Sequence, residues 1–398
     1  MSLKILFVID GLGHGGAERS LAEMLPHFVR SGIKSTVAFF HRHQESLEGR
    51  LRAQGADLRF LPEQGVIRRI AALRRLIQME RPDVVHTALF ESDVVGRLAS
   101  IGQQTVVVSS LVNTPYDRIR LQNRDVSAVK LWAVRVIDGW TARCFTTHFH
   151  AVTEATKNAA VSELGLMPEH ITVIARGRTD LMGPPDAERT RKARLKFGVK
   201  DSDEVIVTTG RQEYQKGQRF LLEAMGEIAR RRPHAVLLVA GRKGRQSPIL
   251  EETQQRLALD GRVRLLGHRD DVPELLAASD VFVFPSLYEG LGGSLIEAMA
   301  QGLPIVASRI PAIEEVVEEG QNALLVERAS VAPLAEAITG LLADSKTARA
   351  FGRRSREIFE ERFMLEKAAS RMVAFYRAIT AHHPAAITAG AMPERHCD

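Results

Sequence analysis

Cysteine and long apolar stretches are the two features that this sequence most clearly lacks. Only Cys144 and Cys397 occur among its 398 residues, so the sequence offers neither a disulfide framework nor a cysteine-based metal site, and it fits a reducing compartment. No apolar run approaches the roughly 18 residues that spanning a bilayer requires. The first strand-like run, residues 4–9, lacks the apolar length and the small-residue cleavage site of a signal peptide. We therefore expect a cytoplasmic protein.

Acidic residues are also in the minority. The chain has 54 lysines and arginines against 48 aspartates and glutamates, which gives a formal net charge of +6. Such an excess suits nucleic acid, an anionic membrane face or anionic substrates. Because no nucleic-acid motif is present, we expect no nucleic-acid partner and favour a membrane face or phosphorylated substrates. A basic surface without a partner remains the alternative.

Strand-like apolar runs alternate with helical patterns through nearly the whole chain. Seven such runs lie between residues 4 and 175, and a second series of six lies between 205 and 326. This alternation predicts an α/β protein with two Rossmann-like domains facing across a cleft. We place the N-terminal domain at 1–177 and the C-terminal domain at 178–362, with a hinge region in 177–204. The tail 382–398 is rich in Ala, Pro and Gly, which predicts disorder.

A glycine-rich turn in the second half carries two glutamates, Glu289 and Glu297. The apolar run 281–285 precedes the turn and a helical pattern follows it. Such a strand–turn–helix unit directs free backbone N–H groups at an anion, most often a phosphate, whereas a carboxylate accepts hydrogen bonds from sugar hydroxyls. The unit could thus hold both halves of a nucleotide sugar. The alternative is an ordinary capping box, Ser294-Leu295-Ile296-Glu297.

An ordered set of short motifs surrounds this turn. The set is Thr209-Gly210-Arg211, Lys216-Gly217, Leu238-Val239-Ala240-Gly241, Val263-Arg264-Leu265-Leu266-Gly267, Ala278-Ser279-Asp280, the two-glutamate turn, Gly302-Leu303-Pro304 and Glu314-Glu315-Val316-Val317. In this order it resembles the C-terminal half of the GT4 family of retaining glycosyltransferases, which have the GT-B architecture.

The resemblance implies a metal-independent enzyme without a cofactor, whose donor is a nucleotide-diphosphate sugar. Arg211 and Lys216 would bind the diphosphate, Glu297 the ribose, and Glu289 the hydroxyls of the transferred sugar. The donor site would be completed by the backbone of Leu291, Gly292 and Gly293 over the sugar and phosphate, and by the His268 loop near the base. Asp201-Ser202-Asp203 imitates a metal-binding motif, but it lies in a polar turn and we interpret it as linker.

The first loop, Asp10–Arg19, is also glycine-rich. Gly11, Gly13 and Gly16 match the dinucleotide fingerprint, so an NAD(P)-dependent oxidoreductase is one alternative. The run from Gly15 to Arg19 resembles the GT4 version of this loop, found among members that build polysaccharides, where Gly15 and Gly16 let the backbone approach the donor diphosphate or the acceptor. A glycine turn without a ligand is the simplest reading.

The acceptor, a glycan, a lipid-linked sugar or a small molecule, would lie on the N-terminal domain. His86 is predicted at a strand end near it, and together with Glu289, Arg211 and Lys216 it forms the predicted catalytic set. A purely structural role for His86 is the equal alternative. Relatives often have a second histidine where Asn113 stands here. Arg176 and Arg178 replace part of the family's Pro-Asn-Gly-Val-Asp; they suggest an anionic substrate group or an added phosphate contact, with salt bridges as the equal alternative.

Two helices near the chain's middle and end complete the predictions. In the family, a helix such as 366–380 packs back on the N-terminal domain. Trp132, Val136 and Trp140 share a helix face among basic residues, which indicates either docking on an anionic membrane or a core position. A GT-B subunit without activity is the last alternative, but it would have no need for Arg211, Lys216, Glu289 and Glu297 together.

Overall fold

The computed structural model describes residues 2–43, 46–123 and 125–381. The chain forms two compact units, one built from Met1–Thr179 with Leu365–Asp398 and the other from Asp180–Met364. The sequence-based boundary was 177/178, and the predicted disordered tail, 382–398, lies outside the described residues.

The first unit is a parallel sheet covered by helices on both faces. Its strands are β1 (Lys4–Gly11), β2 (Lys34–His41), β3 (Asp57–Phe60), β4 (Val84–Ala88), β5 (Val106–Leu111), β6 (His148–Ala151) and β7 (Ile171–Val173). Its helices are α1 (Gly16–Arg30), α2 (Glu48–Ala53), α3 (Val66–Glu80), α4 (Phe90–Ala99), α5 (Ala128–Phe145) and α6 (Glu154–Leu164). The strand order is β3-β2-β1-β4-β5-β6-β7, so the order reverses between β1 and β4.

The second unit repeats this plan. Its strands are β8 (Glu204–Thr209), β9 (Ala235–Ala240), β10 (Val263–Gly267), β11 (Val281–Phe284), β12 (Ile305–Arg309) and β13 (Ala323–Glu327). Its helices are α7 (Ala187–Lys196), α8 (Gln218–Arg231), α9 (Ser247–Arg256), α10 (Val272–Ala277), α11 (Gly293–Ala300), α12 (Pro311–Glu314), α13 (Val331–Ala343) and α14 (Ser345–Ile358). The order β10-β9-β8-β11-β12-β13 reverses between β8 and β11.

The last helix, α15 (Leu365–Ala381), belongs to the first unit although its sequence follows the second. Met372, Phe375 and Tyr376 pack with α1 and with one face of the first sheet. Its first backbone N–H, at Leu365, donates to the carbonyl of Arg178 at 3.0 Å. The helix therefore fills a part of the core that the first 179 residues leave open.

The strands were predictable because a strand buried on both faces reads as a continuous apolar run. In β9 and β11 every residue is buried. The predicted α/β class with two Rossmann-like domains is confirmed by the two parallel sheets and their flanking helices.

Candidate active site

The loops after β8 and β11 meet where the strand order of the second unit reverses. In an open parallel sheet, the crevice beyond the carboxyl ends of two such strands is the usual ligand site. The loop after β8 carries Arg211 and Lys216, and the loop after β11 carries Glu289. Two loops that are more than 70 residues apart in the sequence are thus brought to one end of the sheet.

Lys216 and Glu289 form an ion pair between these two loops. The Lys216 ammonium donates to Glu289 Oε1, which also accepts from the Ser286 hydroxyl at 3.0 Å. Glu289 is only 8% exposed. Both contacts go to Oε1, and no described residue donates to Oε2. A cation and a carboxylate oxygen with room for a further hydrogen bond therefore lie side by side.

Backbone contacts fix the spacing of the two loops. The Leu287 N–H donates to the carbonyl of Gln215 at 2.7 Å, and the Gln215 side-chain amide donates to the carbonyl of Tyr288 at 2.9 Å. Gly217 has φ +59°, and a Cβ on it would lie 1.9 Å from the Pro285 carbonyl oxygen. Only glycine permits this approach. The turn that positions Lys216 therefore requires glycine at position 217.

The helix α11 begins at Gly293, directly after this loop. Gly292, at φ +83°, precedes its first residue, and Leu291 is buried beside it. The N–H groups of the first turn have no intrahelical acceptor and carry the positive end of the helix dipole. The backbone of Leu291, Gly292 and Gly293 thus leads into a helix N-terminus, and its predicted cover over a sugar and a phosphate stays a prediction.

The capping-box alternative was wrong. No side chain caps α11, and the Ser294 hydroxyl donates instead to the Thr209 carbonyl at 3.3 Å, at the end of β8. Glu297 is the fifth residue of the helix rather than part of its first turn, and it is half-buried. Its proposed contact with a ribose stays a prediction.

Arg211 is exposed on the same loop as Lys216. Within the described residues its guanidinium has no hydrogen-bond or ion-pair partner. A guanidinium without a protein partner suits the bidentate binding of phosphate oxygens.

His268 lies further away in the sheet. It follows β10, which is separated from β8 by β9, and its Nε2 lies 3.4 Å from Asp270 Oδ1. The predicted role of the His268 loop near the base stays a prediction.

The first unit holds the residues predicted to meet the acceptor. Gly15 precedes α1 and Gly16 is its first residue, at the point where the strand order reverses. A Cβ on Gly16 would meet nothing within 4 Å, so space alone does not require glycine there. Asn113 follows β5, and its side-chain oxygen accepts from the Thr114 N–H at 2.9 Å.

His86 is not at the end of its strand, as the sequence suggested. The strand β4 continues to Ala88, and His86 pairs in register with Phe7 and Val108 in its middle, only 6% exposed. Its ring lies in the core and is hydrogen-bonded to Tyr376 on α15 and to Ser110 on β5.

Four side chains and one carbonyl form a continuous hydrogen-bonded series around His86. The oxygen of Tyr376 lies 2.5 Å from His86 Nδ1, His86 Nε2 lies 2.7 Å from Ser110 Oγ, and Ser110 Oγ lies 3.1 Å from His150 Nδ1. His150 Nε2 lies 2.9 Å from the Ile174 carbonyl oxygen. We call these residues the His86 network.

The carbonyl at the end of the network fixes every proton. Because a carbonyl can only accept, His150 Nε2 must donate, and neutral His150 Nδ1 then accepts from Ser110. Ser110 accepts from His86 Nε2, and His86 Nδ1 accepts from the Tyr376 hydroxyl. Burial lowers the pKa of His86 well below its ordinary value and the pKa of His150 to about 4, so both rings are neutral.

Arg178 is bound to other residues of the first unit, as the salt-bridge alternative predicted from the sequence. It is buried; its Nη1 donates to Ser20 Oγ at 2.9 Å and lies 3.6 Å from a Glu23 carboxylate oxygen. Arg176 differs, because its guanidinium donates only a long bond of 3.4 Å, to the Gly16 carbonyl.

The tryptophans of α5 are not core residues, so that alternative was wrong. Trp132 is 59% exposed and Trp140 is 48% exposed, and Val129 and Val136 on the same face are exposed as well. These are the chain's two tryptophans. In the described residues no helix is both long and apolar enough to cross a membrane.

Sequence reasoning missed several residues of both units. Ser286 and Gln215 hold the donor-side loops, while Ser110, His150 and Tyr376 hold His86. The alternation in His148-Phe149-His150 could have indicated that His150 shares a sheet face with His86. Nothing in the local sequence of Tyr376 connects it with a strand 290 residues earlier.

Family models match both halves of the chain. The description "Glycosyltransferase Family 4" matches residues 14–179, and "Glycosyl transferases group 1" matches residues 203–344. Together they cover more than half of the sequence.

Curated relatives carry the same class of name. The chain is 28% identical over 263 residues to the UDP-Gal:alpha-D-GlcNAc-diphosphoundecaprenol alpha-1,3-galactosyltransferase of Escherichia coli, over 65% of this chain and 66% of that one. It is 29% identical over 302 residues to the 2-deoxystreptamine glucosyltransferase of Streptomyces kanamyceticus, over 73% and 74% of the two chains.

Solved structures share the fold. The Anabaena HepE protein, solved in complex with UDP-glucose, superposes with a TM-score of 0.83 at 22% identity, over 94% of this chain and all of that chain. The sucrose-phosphate synthase of Thermosynechococcus elongatus superposes with a TM-score of 0.81 at 19% identity, over 95% and 99% of the two chains. The fold is that of a GT-B glycosyltransferase. The chain belongs to glycosyltransferase family 4, as its motifs predicted, and the oxidoreductase alternative is set aside.

Proposed function

We propose that the protein transfers a sugar from a nucleotide-diphosphate sugar to a hydroxyl group of its acceptor, with retention of configuration and without a metal ion. The contact between Lys216 and Glu289 supports this most directly. A phosphate bound by the ammonium group and a sugar hydroxyl bound by the carboxylate would lie on opposite sides of the sugar–phosphate bond that has to break.

The reaction requires positive charge next to the departing phosphate. Breaking the sugar–phosphate bond leaves additional negative charge on the departing phosphate. Lys216, Arg211 and the N-terminus of α11 would stabilise that charge, as preorganised donors do at a developing anion. With no side chain assigned as nucleophile, the acceptor would attack from the same face, and the departing phosphate would accept its proton.

The donor and acceptor are proposed from the relatives. The E. coli relative is named for a UDP-sugar donor and a lipid-linked acceptor, and a Rhizobium meliloti relative, 32% identical over 173 residues, is named for lipopolysaccharide core biosynthesis. We infer a UDP-sugar donor and a role in cell-surface polysaccharide synthesis.

An anionic membrane face would fit such an acceptor. The exposed residues Val129, Trp132, Val136 and Trp140 follow one side of α5, and Lys130 is exposed beside them. Tryptophan binds at the boundary between acyl chains and headgroups, and a basic side chain binds anionic headgroups. We propose that this face rests on the membrane.

Thermal unfolding with a nucleotide panel tests the donor site. UDP, GDP, ADP, CDP and their sugars would be compared with NAD(P)H, using wild type, Arg211→Ala and the exposed control Arg256→Ala. A ligand at 100 times its Kd adds about 2.7 kcal/mol of stability, so we expect a shift with UDP ligands that Arg211→Ala loses and Arg256→Ala keeps. A shift with NAD(P)H alone would refute the proposal, and no shift at all would favour a silent subunit.

A further inference from the structure

A cavity of about 60 Å³ lies in the first unit, between the sheet, α1 and α15. A cavity needs a volume of about 10–15 Å³ to hold one water molecule, so this one has room for several waters or for one tetrahedral anion. Most of its wall is apolar, with Met24, Phe28 and Met372 among the lining residues. Its polar side chains are Ser20, His86, Ser110, His150, Arg176 and Tyr376.

Four of these six polar side chains cannot donate to a ligand. They form the His86 network, in which each O–H or N–H hydrogen already has an acceptor and both imidazoles are neutral. Only Arg176 and Ser20 remain as donors from the cavity wall.

Arg176 brings a positive charge to this apolar wall without a carboxylate to balance it. Among the described residues its one hydrogen bond goes to the Gly16 carbonyl, and no carboxylate lies within ion-pair distance. Burial and the neighbouring Arg178 lower its pKa to about 10, while Glu18 acts in the opposite direction. Arg176 is half-buried, so solvent screens part of its charge, and an anion in the cavity would be attracted by the remainder.

Ser20 offers a second donor. Its oxygen accepts from Arg178 at 2.9 Å, which leaves its hydroxyl hydrogen free to be donated elsewhere. No described residue accepts that hydrogen. Arg178, held by Glu23, thus orients the hydroxyl and adds positive charge behind it.

We propose that this cavity binds an anionic group, a phosphate or a carboxylate, with Arg176 as the cation and Ser20 as the second donor. The group belongs to the acceptor, an assignment that rests on the proposed transferase function; anion binding itself does not. The enzyme then selects acceptors that carry a negative charge close to the hydroxyl that receives the sugar.

The first experiment measures anion binding without the donor site. In an Arg211→Ala/Lys216→Ala background, which removes the cations proposed for the donor diphosphate, unfolding is followed with inorganic phosphate against chloride at equal ionic strength. We expect phosphate to raise the unfolding midpoint. Adding Arg176→Gln abolishes the rise, whereas adding Arg50→Gln, at an exposed arginine of the same unit, leaves it intact.

Two further variants protect this experiment against a folding defect. Arg176→Lys keeps the charge and retains part of the phosphate effect, and Ser20→Ala weakens it without removing the charge. No phosphate effect in the starting background, or an effect that survives Arg176→Gln, would overturn the site.

The second experiment assigns the anion to the acceptor. Arg176→Gln is compared with wild type on acceptor pairs that differ only in a phosphate or carboxylate. We expect KM for the anionic acceptor to rise about 10- to 100-fold, the range for losing a hydrogen bond between charged groups, with KM for the neutral acceptor unchanged. UDP affinity stays constant. A parallel loss of UDP affinity would mean that Arg176 binds the donor diphosphate, and failure of all nucleotides to bind would refute the transferase while leaving the phosphate result standing.

Discussion

Single residues decide what the second unit can bind. Lys216 and Glu289 neutralise each other in the absence of a ligand, so neither charge is left uncompensated in a site where Glu289 is almost fully buried. A nucleotide sugar would replace this one contact by two, phosphate on Lys216 and hydroxyl on Glu289. The ion pair therefore holds both groups at the place where we propose that the donor binds.

Glu289→Gln separates binding from transfer. The amide keeps the size of the side chain but cannot accept as strongly from a sugar hydroxyl, and it removes the negative charge beside the reacting carbon. We expect kcat/KM to fall by about 10²- to 10³-fold, while UDP, which has no sugar to transfer, keeps its affinity. Titration of UDP and steady-state transfer measure the two effects. Glu336→Gln, at an exposed glutamate of α13, is the control; unchanged transfer in Glu289→Gln would remove Glu289 from the mechanism.

His150 makes the stability of the first unit depend on pH. Its pKa is about 4 in the folded chain against an ordinary value of 6.5, so below pH 6.5 the unfolded state takes up a proton that the folded state refuses. The stabilisation is complete above pH 6.5 and is lost as the pH falls towards 4; by pH 5 the loss is about 2 kcal/mol.

The matching variant is His150→Asn. We expect its unfolding free energy, from urea titrations at pH 7 and 5, to fall less between the two values than that of wild type, by about the same 2 kcal/mol. Comparing the pH dependence of the two proteins cancels other groups, such as Asp93, whose pKa burial raises to about 7. Parallel curves for the two proteins would show that His150 titrates normally.

The sequence predicts single residues well where a motif fixes the backbone. Arg211, Lys216 and Glu289 were predicted from loops whose glycines leave few conformations; these loops follow neighbouring strands, and Lys216 and Glu289 are in contact there. His86 was placed wrongly because Thr87 and Ala88 extend β4 beyond the apolar run. The residues around His86 come from four separate segments, and no local pattern records that proximity.

At the scale of elements, α15 depends on one polar contact inside an apolar interface. Tyr376 is fully buried, and its hydroxyl starts the His86 network. Tyr376→Phe keeps the ring packing against Phe7 and Phe28 but leaves His86 Nδ1 without a donor. We expect a loss of about 1–3 kcal/mol in urea unfolding.

A second tyrosine provides the control for that loss. Tyr214 is also buried, but its hydroxyl has no hydrogen bond among the described residues. Tyr214→Phe should therefore leave stability nearly unchanged. Equal effects of the two substitutions would argue against the network as a source of stability.

The exposed face of α5 is expected to contribute to location. Trp132→Ser combined with Trp140→Ser removes rings that are about half exposed, so some stability is lost with their buried halves, and urea unfolding checks that the variant is still folded under the binding conditions. Sedimentation with phosphatidylglycerol vesicles should show weaker binding than wild type, and phosphatidylcholine vesicles should bind neither. The control is Leu195→Ser, at an exposed leucine of α7; unchanged sedimentation of the double variant would refute membrane docking.

Helices and strands were predicted from the spacing of hydrophobic residues. As α5 illustrates, this spacing does not tell whether an apolar stripe is buried or exposed. A stripe of Val and Trp at helical spacing is the same pattern whether the stripe faces a core or solvent. Only the fold shows that the opposite side of α5 packs against α4 and α6, leaving this stripe uncovered.

At the scale of the whole molecule, the proposed donor chemistry uses protein cations. Because Arg211, Lys216 and a helix N-terminus supply the positive charge, we expect transfer to continue in excess EDTA at an unchanged rate. Assays with EDTA, and with Mg²⁺ or Mn²⁺ added back, measure this. A rate that disappears with EDTA and returns with the metal would contradict the metal-independent mechanism.

Both sheets could be predicted as a class because parallel strands are apolar throughout and alternate with helices. Their strand order could not be predicted, since many orders share that alternation. The reversals at β1/β4 and β8/β11 depend on which strands pair with each other, and the alternation does not record that pairing. The candidate sites lie where the strand order reverses. Because the strand order could not be predicted from hydrophobic periodicity, only the family motifs indicated where these sites are.

The return of α15 to the first unit has a consequence for the order of synthesis. The first 179 residues leave the ribosome without the helix that carries Tyr376, and the whole second unit, Asp180–Met364, is made before it appears. At about 5–20 residues per second, a nascent first unit waits on the order of 10 to 40 s with Phe7, Phe28 and His86 uncovered. A ribosome that stalls late in the message would therefore release a protein whose second unit is finished and whose first unit is still open.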